Sequence, residues 1–239
     1  MTNSPSNITN LIQPEHIEII KSDGTQSLYD VSLIEESCLN IYLNDKLVTS
    51  IPALPKDLCE LAVGILFSMN KINSYRQITS ITIDENAGNI YVVSSAHLDS
   101  NLKSTSLSPV NQIAFDYNRI FKLINSFSED TPLHIKTSCT HSCFLAGQNT
   151  LHTTVEDIGR HNAVDKAIGY ALINDINLSE CILFTSGRVP HDLVVKVINA
   201  GIPILVSKSM PTKKAVALAQ KYKLTLLCHA RNDSFYKFS

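Results

Sequence analysis

At 239 residues with 44% hydrophobic side chains, the chain can bury one large core or two modest ones, which excludes global disorder. Its formal net charge of −2 excludes a composition-level attraction to nucleic acid or membranes, so any polyanion site has to be local. No run approaches the roughly 18 apolar residues of a membrane span, and the opening MTNSPSNITNLIQPEH lacks the basic and apolar regions of a secretory leader. A cytoplasmic protein with free thiols is therefore expected. Of the cysteines at 38, 59, 139, 143, 181 and 228, those at 38, 59, 181 and 228 sit in apolar runs and read as small buried hydrophobes.

Residues 1–15 read as a polar tail and 16–95 as an α+β amino-terminal domain. HIEII predicts a strand, and CLNIYLNDKLVTSI predicts a hairpin turned at Asn44-Asp45. Pro55 and Asp57 open a helix whose apolar positions Leu58, Leu61, Ala62, Ile65 and Leu66 keep the helical period. QITSITIDENAGNIYVVSS predicts a second hairpin around Asn86–Gly88. Serine and asparagine then dominate, so residues 96–112 are expected to be a mobile loop or linker.

From 113 to 239 the pattern changes. DYNRIFKLINSF predicts a helix, the strand TLHTTVED leads to the helix RHNAVDKAIGYALI, and CILFTSG leads to PHDLVVKVINAG. IPILVS then leads to TKKAVALAQKY, and LTLLCHA closes the series. Strand–helix alternation with short, wholly apolar strands predicts an α/β sandwich whose sheet is covered on both faces.

Ligands of open α/β sheets bind beyond the carboxyl ends of the strands, where helices begin. The loops Glu156–Asn162, Thr185–Pro190 and Ser207–Thr212 all fall there, each with small or hydrogen-bonding residues ahead of a helix N-terminus. Arg160, Arg188 and Lys208 add positive charge, so the set reads as a phosphate or nucleotide cradle, although no loop carries a Walker or dinucleotide glycine pattern. Taken singly, each residue has a structural reading: Asp157 as a helix N-cap, Asp165 with Lys166 as a solvated pair, Ser186-Gly187 as a turn. Three consecutive crossovers ending alike favour the cradle.

A second cluster is TSCTHSCFLAG, residues 137–147. On a helix, Cys139 and Cys143 would share a face with His141 between them. A thiolate there could be a nucleophile, its pKa lowered by His141 or His161. Three readings stay open: a redox or sulfur-carrying pair, a metal site, or inert residues beside a pocket. Zinc fits poorly, because the deaminase pattern H-x-E…P-C-x-x-C is absent and one close cysteine pair is weak evidence for metal.

EDIGRHNAVDKAIG resembles the hallmark of the FdhD family, the formate dehydrogenase accessory sulfurtransferases. TSCTHSC is similar to that family's Thr-Gly-Gly/Cys-x-His-Ala-Ala segment. PKDLCELAVGILFSMNKI resembles its amino-terminal helix, and TSGRVPHDLVVKVINAGIPILVSKSMPTKKAVALAQKYKLTLL its carboxy-terminal block, so the resemblance spans residues 37–239. It implies a cytidine-deaminase-like carboxy-terminal domain, a three-layer α/β sandwich with a mixed sheet and without the zinc site. It further implies binding of molybdopterin guanine dinucleotide as cargo, sulfur received from a cysteine desulfurase, formate dehydrogenase as the client, and a homodimer.

Residue type and position then propose the site. Cofactor contacts are expected from Thr137, Glu156, Asp157, Gly159, Arg160, His161, Asn162, Asp165, Lys166, Ser186, Gly187, Arg188, Ser207, Pro211 and Thr212. Arg160 and His161 would face phosphates or pterin, while Asp157, Asn162 and Asp165 would fix the loop, and Lys166 would be either a phosphate contact or an ion-pair partner. Cys139, Cys143 and His141 would serve the sulfur step. One departure stands out: family members carry a Cys-x-x-Cys roughly where this chain has SNLKSTSLSPVNQ, residues 100–112, which contains no cysteine. Either Cys139, with or without Cys143, takes over the persulfide, or the chain is a non-catalytic cofactor-binding chaperone. Val189-Pro190-His191 also departs from the small, polar run usual after Ser-Gly-Arg.

Overall fold

The computed structural model describes residues 11–95, 107–129, 131–147 and 150–239. Most of the expected 96–112 loop lies outside the described residues. Its last stretch is anchored: Val110 is buried and its amide donates to the Tyr222 carbonyl at 2.9 Å.

The chain starts with a two-stranded ribbon, β1 (Ile12–Ile20) and β2 (Gln26–Ile34), paired antiparallel along its whole length. β1 therefore begins ahead of the expected HIEII, inside the segment read as a tail. Only the root of the ribbon packs, with Leu11, Ile12 and Ile34 against Leu54 and Leu133. The alternation of β-strand side chains leaves Ile17, Tyr29 and Leu33 exposed on one face.

A four-stranded sheet follows, in the order β4-β3-β6-β5. β3 (Ser37–Leu43) and β4 (Lys46–Ala53) form the predicted hairpin. Asn44 and Asp45 both take positive φ, 48° and 64°, which the right-handed strand twist demands of a two-residue turn. β5 (Ile78–Asp84) and β6 (Asn89–Ser94) form the second hairpin, where Gly88 at φ 65° lies so close to strand β3 that a Cβ would stand 2.5 Å from the Cys38 carbonyl oxygen. Leu39, Ile41, Leu43, Ile90 and Val92 point inward from this sheet onto α1 (Leu58–Ser68). The helix is buried beyond its predicted stripe, at Val63 and Gly64 as well, because a second helix covers its other side. Cys38, read as buried, is exposed on β3, and Cys59 is half-buried; Cys181 and Cys228 are buried as expected.

The second half is a six-stranded mixed sheet in the order β12-β11-β10-β9-β7-β8. β9 (Ile182–Thr185), β10 (Ile204–Ser207) and β11 (Thr225–Cys228) run parallel, while β7 (His141–Ala146) runs antiparallel to β9 and to β8 (Leu151–Asp157), and the short β12 (Tyr236–Lys237) closes the other edge. Alternate strand residues serve the two faces. Cys143, Leu145, Leu183, Leu205 and Leu226 pack with α4 (Arg160–Ile173), α5 (His191–Asn199) and α6 (Lys213–Lys221). Phe144, Phe184, Ile204, Val206 and Leu227 pack with α2 (Tyr117–Glu129). Three layers result, as the strand–helix alternation predicted.

The two sheets are joined by α1 crossing α4. An added Cβ at Gly64 would lie 1.9 Å from the Asp165 carbonyl oxygen, and one at Gly169 would lie 1.9 Å from that of Glu60. Only glycine at both points lets the backbones come so near.

Candidate functional site

The beginning of β7 and the ends of β8, β9 and β10 meet at one edge, because β7 runs against the others. His141 stands opposite Asp157, Cys143 opposite Thr185, and Thr185 opposite Ser207. The three loops expected to form a cradle therefore do converge.

The loops after β9 and β10 are zipped together. The Ser186 Oγ accepts from the Ser142 amide at 3.0 Å and lies 3.4 Å from the His141 Nδ1. Ser207, fully buried, donates to the Gly187 carbonyl at 2.7 Å, and Ser209 donates to the Ser186 carbonyl at 2.9 Å. Val189 and Pro211 form a bridge, and the Thr212 hydroxyl caps α6 by accepting from the Ala215 amide at 3.2 Å. Ser207, Pro211 and Thr212, expected as cofactor contacts, are thus taken up in holding the loops. Ser142 and Ser209 escaped sequence reading, since nothing marks which serine of a Ser-rich loop points inward.

Arg160 opens α4 and lays its stem across Gly187, where an added Cβ would meet the Arg160 Cβ at 2.8 Å. Among the described residues its buried Nε has no hydrogen-bond partner. Unmatched buried donors are uncommon and often mark ligand positions. Arg188 is exposed on the neighbouring loop. His141 is held mainly neutral by burial, with the charges of Arg160, His134 and Arg188 pushing its pKa further down and Asp157 opposing. Burial likewise lowers the His161 pKa, opposed by Asp192, whose Oδ2 lies 3.0 Å from the His161 Nε2. Arg160 and Arg188 bring the positive charge at this edge, since both histidines are pushed toward the neutral form.

Other residues of the motif face inward. Asp157 and Lys166 form an ion pair at 2.8 Å with neither side chain exposed. Asp157 also accepts from the amides of Leu54 at 3.2 Å and Gly159 at 2.8 Å, and from the Asn162 Nδ2 at 2.9 Å. Lys166 donates to the Leu54 and Glu156 carbonyls, both at 3.3 Å, and Asn162 donates to the Pro52 carbonyl at 2.9 Å. Asp165 accepts from the Ser68 hydroxyl at 2.6 Å and pairs with Lys196; burial pushes its carboxyl up while Lys196 and Ser68 oppose. Glu156 accepts from the Leu133 and His134 amides at 3.0 and 2.8 Å and from the Thr140 hydroxyl at 3.0 Å.

Asp157, Asn162 and Asp165 thus hold the loop, as their expected role required, Lys166 takes the ion-pair role of the two left open for it, and Glu156 is bound within the protein as well. Desolvated charges need dedicated partners, and theirs lie inside the protein. Three of them reach across to the amino-terminal half at Pro52 and Leu54, and Asp165 reaches it at Ser68. Asp157 is not the helix N-cap, which is Gly159, and Asp165 and Lys166 pair with other residues, not with each other.

The cysteine cluster is also corrected. The short helix α3 (Pro132–Thr137) ends at Ser138, whose φ of 54° is left-handed, and the chain enters β7 at His141. Cys139 and Cys143 therefore share no helical face. Cys143 is fully buried in β7 on the α4 side of the sheet, and burial pushes its thiol far above the usual range. A buried neutral thiol is neither nucleophile nor carrier. Cys139 is exposed on the turn, two residues ahead of His141. Thr137 is committed locally, donating to the Leu133 carbonyl at 2.7 Å and accepting from the Cys139 amide at 3.2 Å.

These features define a class: a mixed-sheet α/β protein with arginines at a strand-end edge and an exposed thiol two residues ahead of the strand that enters it. The FdhD/NarQ family model matches residues 34–108 and 93–239. The protein FdhD of Methanocaldococcus jannaschii is 37% identical over 222 residues, covering 90% of this chain and 92% of its own. The sulfur carrier protein FdhD of Bacillus pumilus is 30% identical over 226 residues, covering 85% and 86%. The crystal structure of a candidate formate dehydrogenase accessory protein from Desulfotalea psychrophila superposes with a TM-score of 0.85 at 29% identity, covering 96% and 97%. The chain belongs to the FdhD/NarQ family.

Proposed function

We propose that this chain is a sulfur carrier that serves formate dehydrogenase: it takes sulfur from a cysteine desulfurase onto Cys139 and delivers it to molybdopterin guanine dinucleotide bound as cargo at the strand-end edge. The supporting observation is one exposed thiol, Cys139, two residues ahead of His141, which lies 3.4 Å from the Ser186 Oγ and feels the charges of Arg160 and Arg188. The unpaired Nε of Arg160 and the exposed Arg188 suit the diphosphate of such a dinucleotide. Work in the reducing cytoplasm, as a homodimer, belongs to the same proposal.

The loading step is a redox-neutral thiol exchange. The Cys139 thiolate attacks the outer sulfur of the donor's cysteine persulfide. A new S–S bond forms on Cys139 as the donor's S–S bond breaks, and the donor cysteine leaves as a thiolate that takes up the proton Cys139 lost. His141, kept neutral by its surroundings, can accept that proton in transit.

The lack of any cysteine in residues 100–112 favours a second reading, a cofactor-binding chaperone that moves no sulfur. Intact-protein mass spectrometry after incubation with a cysteine desulfurase and cysteine separates the two. Loading adds one sulfur to the wild type and to Cys143→Ala but none to Cys139→Ala. No gain in the wild type, with guanosine diphosphate still bound, would leave the chaperone.

A further inference from the structure

A single carboxylate grips both ends of the segment that carries Cys139. At the start, the Leu133 amide donates to the Glu156 Oε2 at 3.0 Å and the His134 amide to Oε1 at 2.8 Å. At the far end, the Thr140 hydroxyl donates to the same Oε1 at 3.0 Å. Glu156 and Thr140 are both buried, and Glu156 sits in β8 opposite Ser142 of β7, so the grip is fixed to the sheet.

Inside this grip, the segment is braced by its own bonds. The His134 Nδ1 lies 2.7 Å from the Thr140 carbonyl oxygen, and the Ser138 amide donates to the His134 carbonyl at 2.7 Å. The left-handed Ser138 then turns Cys139 outward. Carboxylate hydrogen bonds to backbone amides are about twice as strong as neutral ones, and α3 is too short to hold itself in water. Without Glu156, two helix-start amides and one buried hydroxyl would lose their acceptor together.

We infer that Glu156 is a positioning residue for sulfur transfer: it clamps residues 133–140 so that the Cys139 thiol is presented at a fixed point beside the strand-end edge. It touches neither sulfur nor cargo and acts through the turn. This inference rests on the proposed role of Cys139 as carrier. The chemistry that needs such a clamp is exchange between two macromolecules, where the donor's persulfide is itself held on a protein and both sulfurs must be brought into line. A small, freely diffusing persulfide needs no such presentation, since Cys139 is exposed with or without the clamp.

The test compares sulfur loading from two donors, a cysteine desulfurase and glutathione persulfide, by intact-protein mass spectrometry. The proteins are the wild type, Glu156→Gln, Glu156→Ala and Thr140→Val. Gln keeps the Oε1 acceptor for His134 and Thr140 and forfeits that for Leu133, so it should rescue part of the loss. Loading from the desulfurase is expected to slow about tenfold in Glu156→Ala, and by less in Glu156→Gln and Thr140→Val. Loading from glutathione persulfide should stay within twofold of the wild type in all three.

Equal rates from the desulfurase in all four proteins would overturn the clamp while leaving Cys139 as carrier. A fall of the same size with both donors would also overturn it, since that is the mark of general damage. Should Glu156→Ala fail to fold, Glu156→Gln and Thr140→Val carry the comparison. A wild type that gains no sulfur from either donor overturns the carrier reading, and the clamp's role with it.

Discussion

The Lys166 ammonium and the Asp157 carboxylate are both out of contact with water, 2.8 Å apart, and each is tied by further hydrogen bonds to Leu54. Such a pair contributes little over a well-packed apolar replacement, yet losing one partner strands a charge and costs about 3–5 kcal/mol. Lys166→Met should therefore destabilise by that amount in urea unfolding. The double variant with Asp157→Asn should be at least about 1 kcal/mol more stable than the two single losses summed. Additive losses would show that the two side chains do not act as a pair. The chemistry of EDIGRHNAVDK was legible as an unusual density of polar groups, but the destinations of those groups were not. Lys166 reaches a carbonyl 112 positions away and Asp165 meets a lysine 31 positions away, and no local spacing encodes either distance. Arg160, by contrast, opens α4 where the strand–helix pattern put it.

Among the elements, α4 matches its sequence expectation residue for residue, since its boundaries are set by Gly159 before and Asn174 after. The segment TSCTHSC does not match. Four-residue spacing suggested a helix, but Cys143, Phe144, Leu145 and Ala146 form a short apolar run, which periodicity alone cannot distinguish from a strand. β2 escaped notice because Ser27, Asp30 and Ser32 interrupt its apolar residues and only its last residue, Ile34, packs against a core. Gly169, inside α4, is a contact point between the helices. Its replacement by alanine would drive a methyl carbon into the backbone of α1, 1.9 Å from the Glu60 oxygen. Overpacking of this kind costs about 1–3 kcal/mol or more, so Gly169→Ala should lower the Tm by roughly 5 °C, at about 2–4 °C per kcal/mol for a chain of this size. An unchanged thermal midpoint would mean that the helices separate easily.

At the scale of the molecule, the two sheets do not stand as independent bodies. Phe67 and Leu172 pack against both main apolar clusters, so the cores are continuous through the α1–α4 crossing. Hydrogen bonds from Asp157, Asn162 and Lys166 to Pro52 and Leu54 stitch the same seam. Calorimetry should therefore record one unfolding transition with matching van't Hoff and calorimetric enthalpies. Two resolved peaks would show that the seam is weak. The glycine crossing also limits how the protein can move. Hinge and shear motions need an interface that can open or slide, and two backbones meeting where a single methyl group would not fit, with charged side chains bonded across the join, can do neither cheaply. The amino-terminal half is thus no lid over the strand-end edge. If the edge takes the proposed cargo, the adjustment would fall to side chains such as Arg160, packed on Gly187, and the exposed Arg188, on a frame held by this crossing.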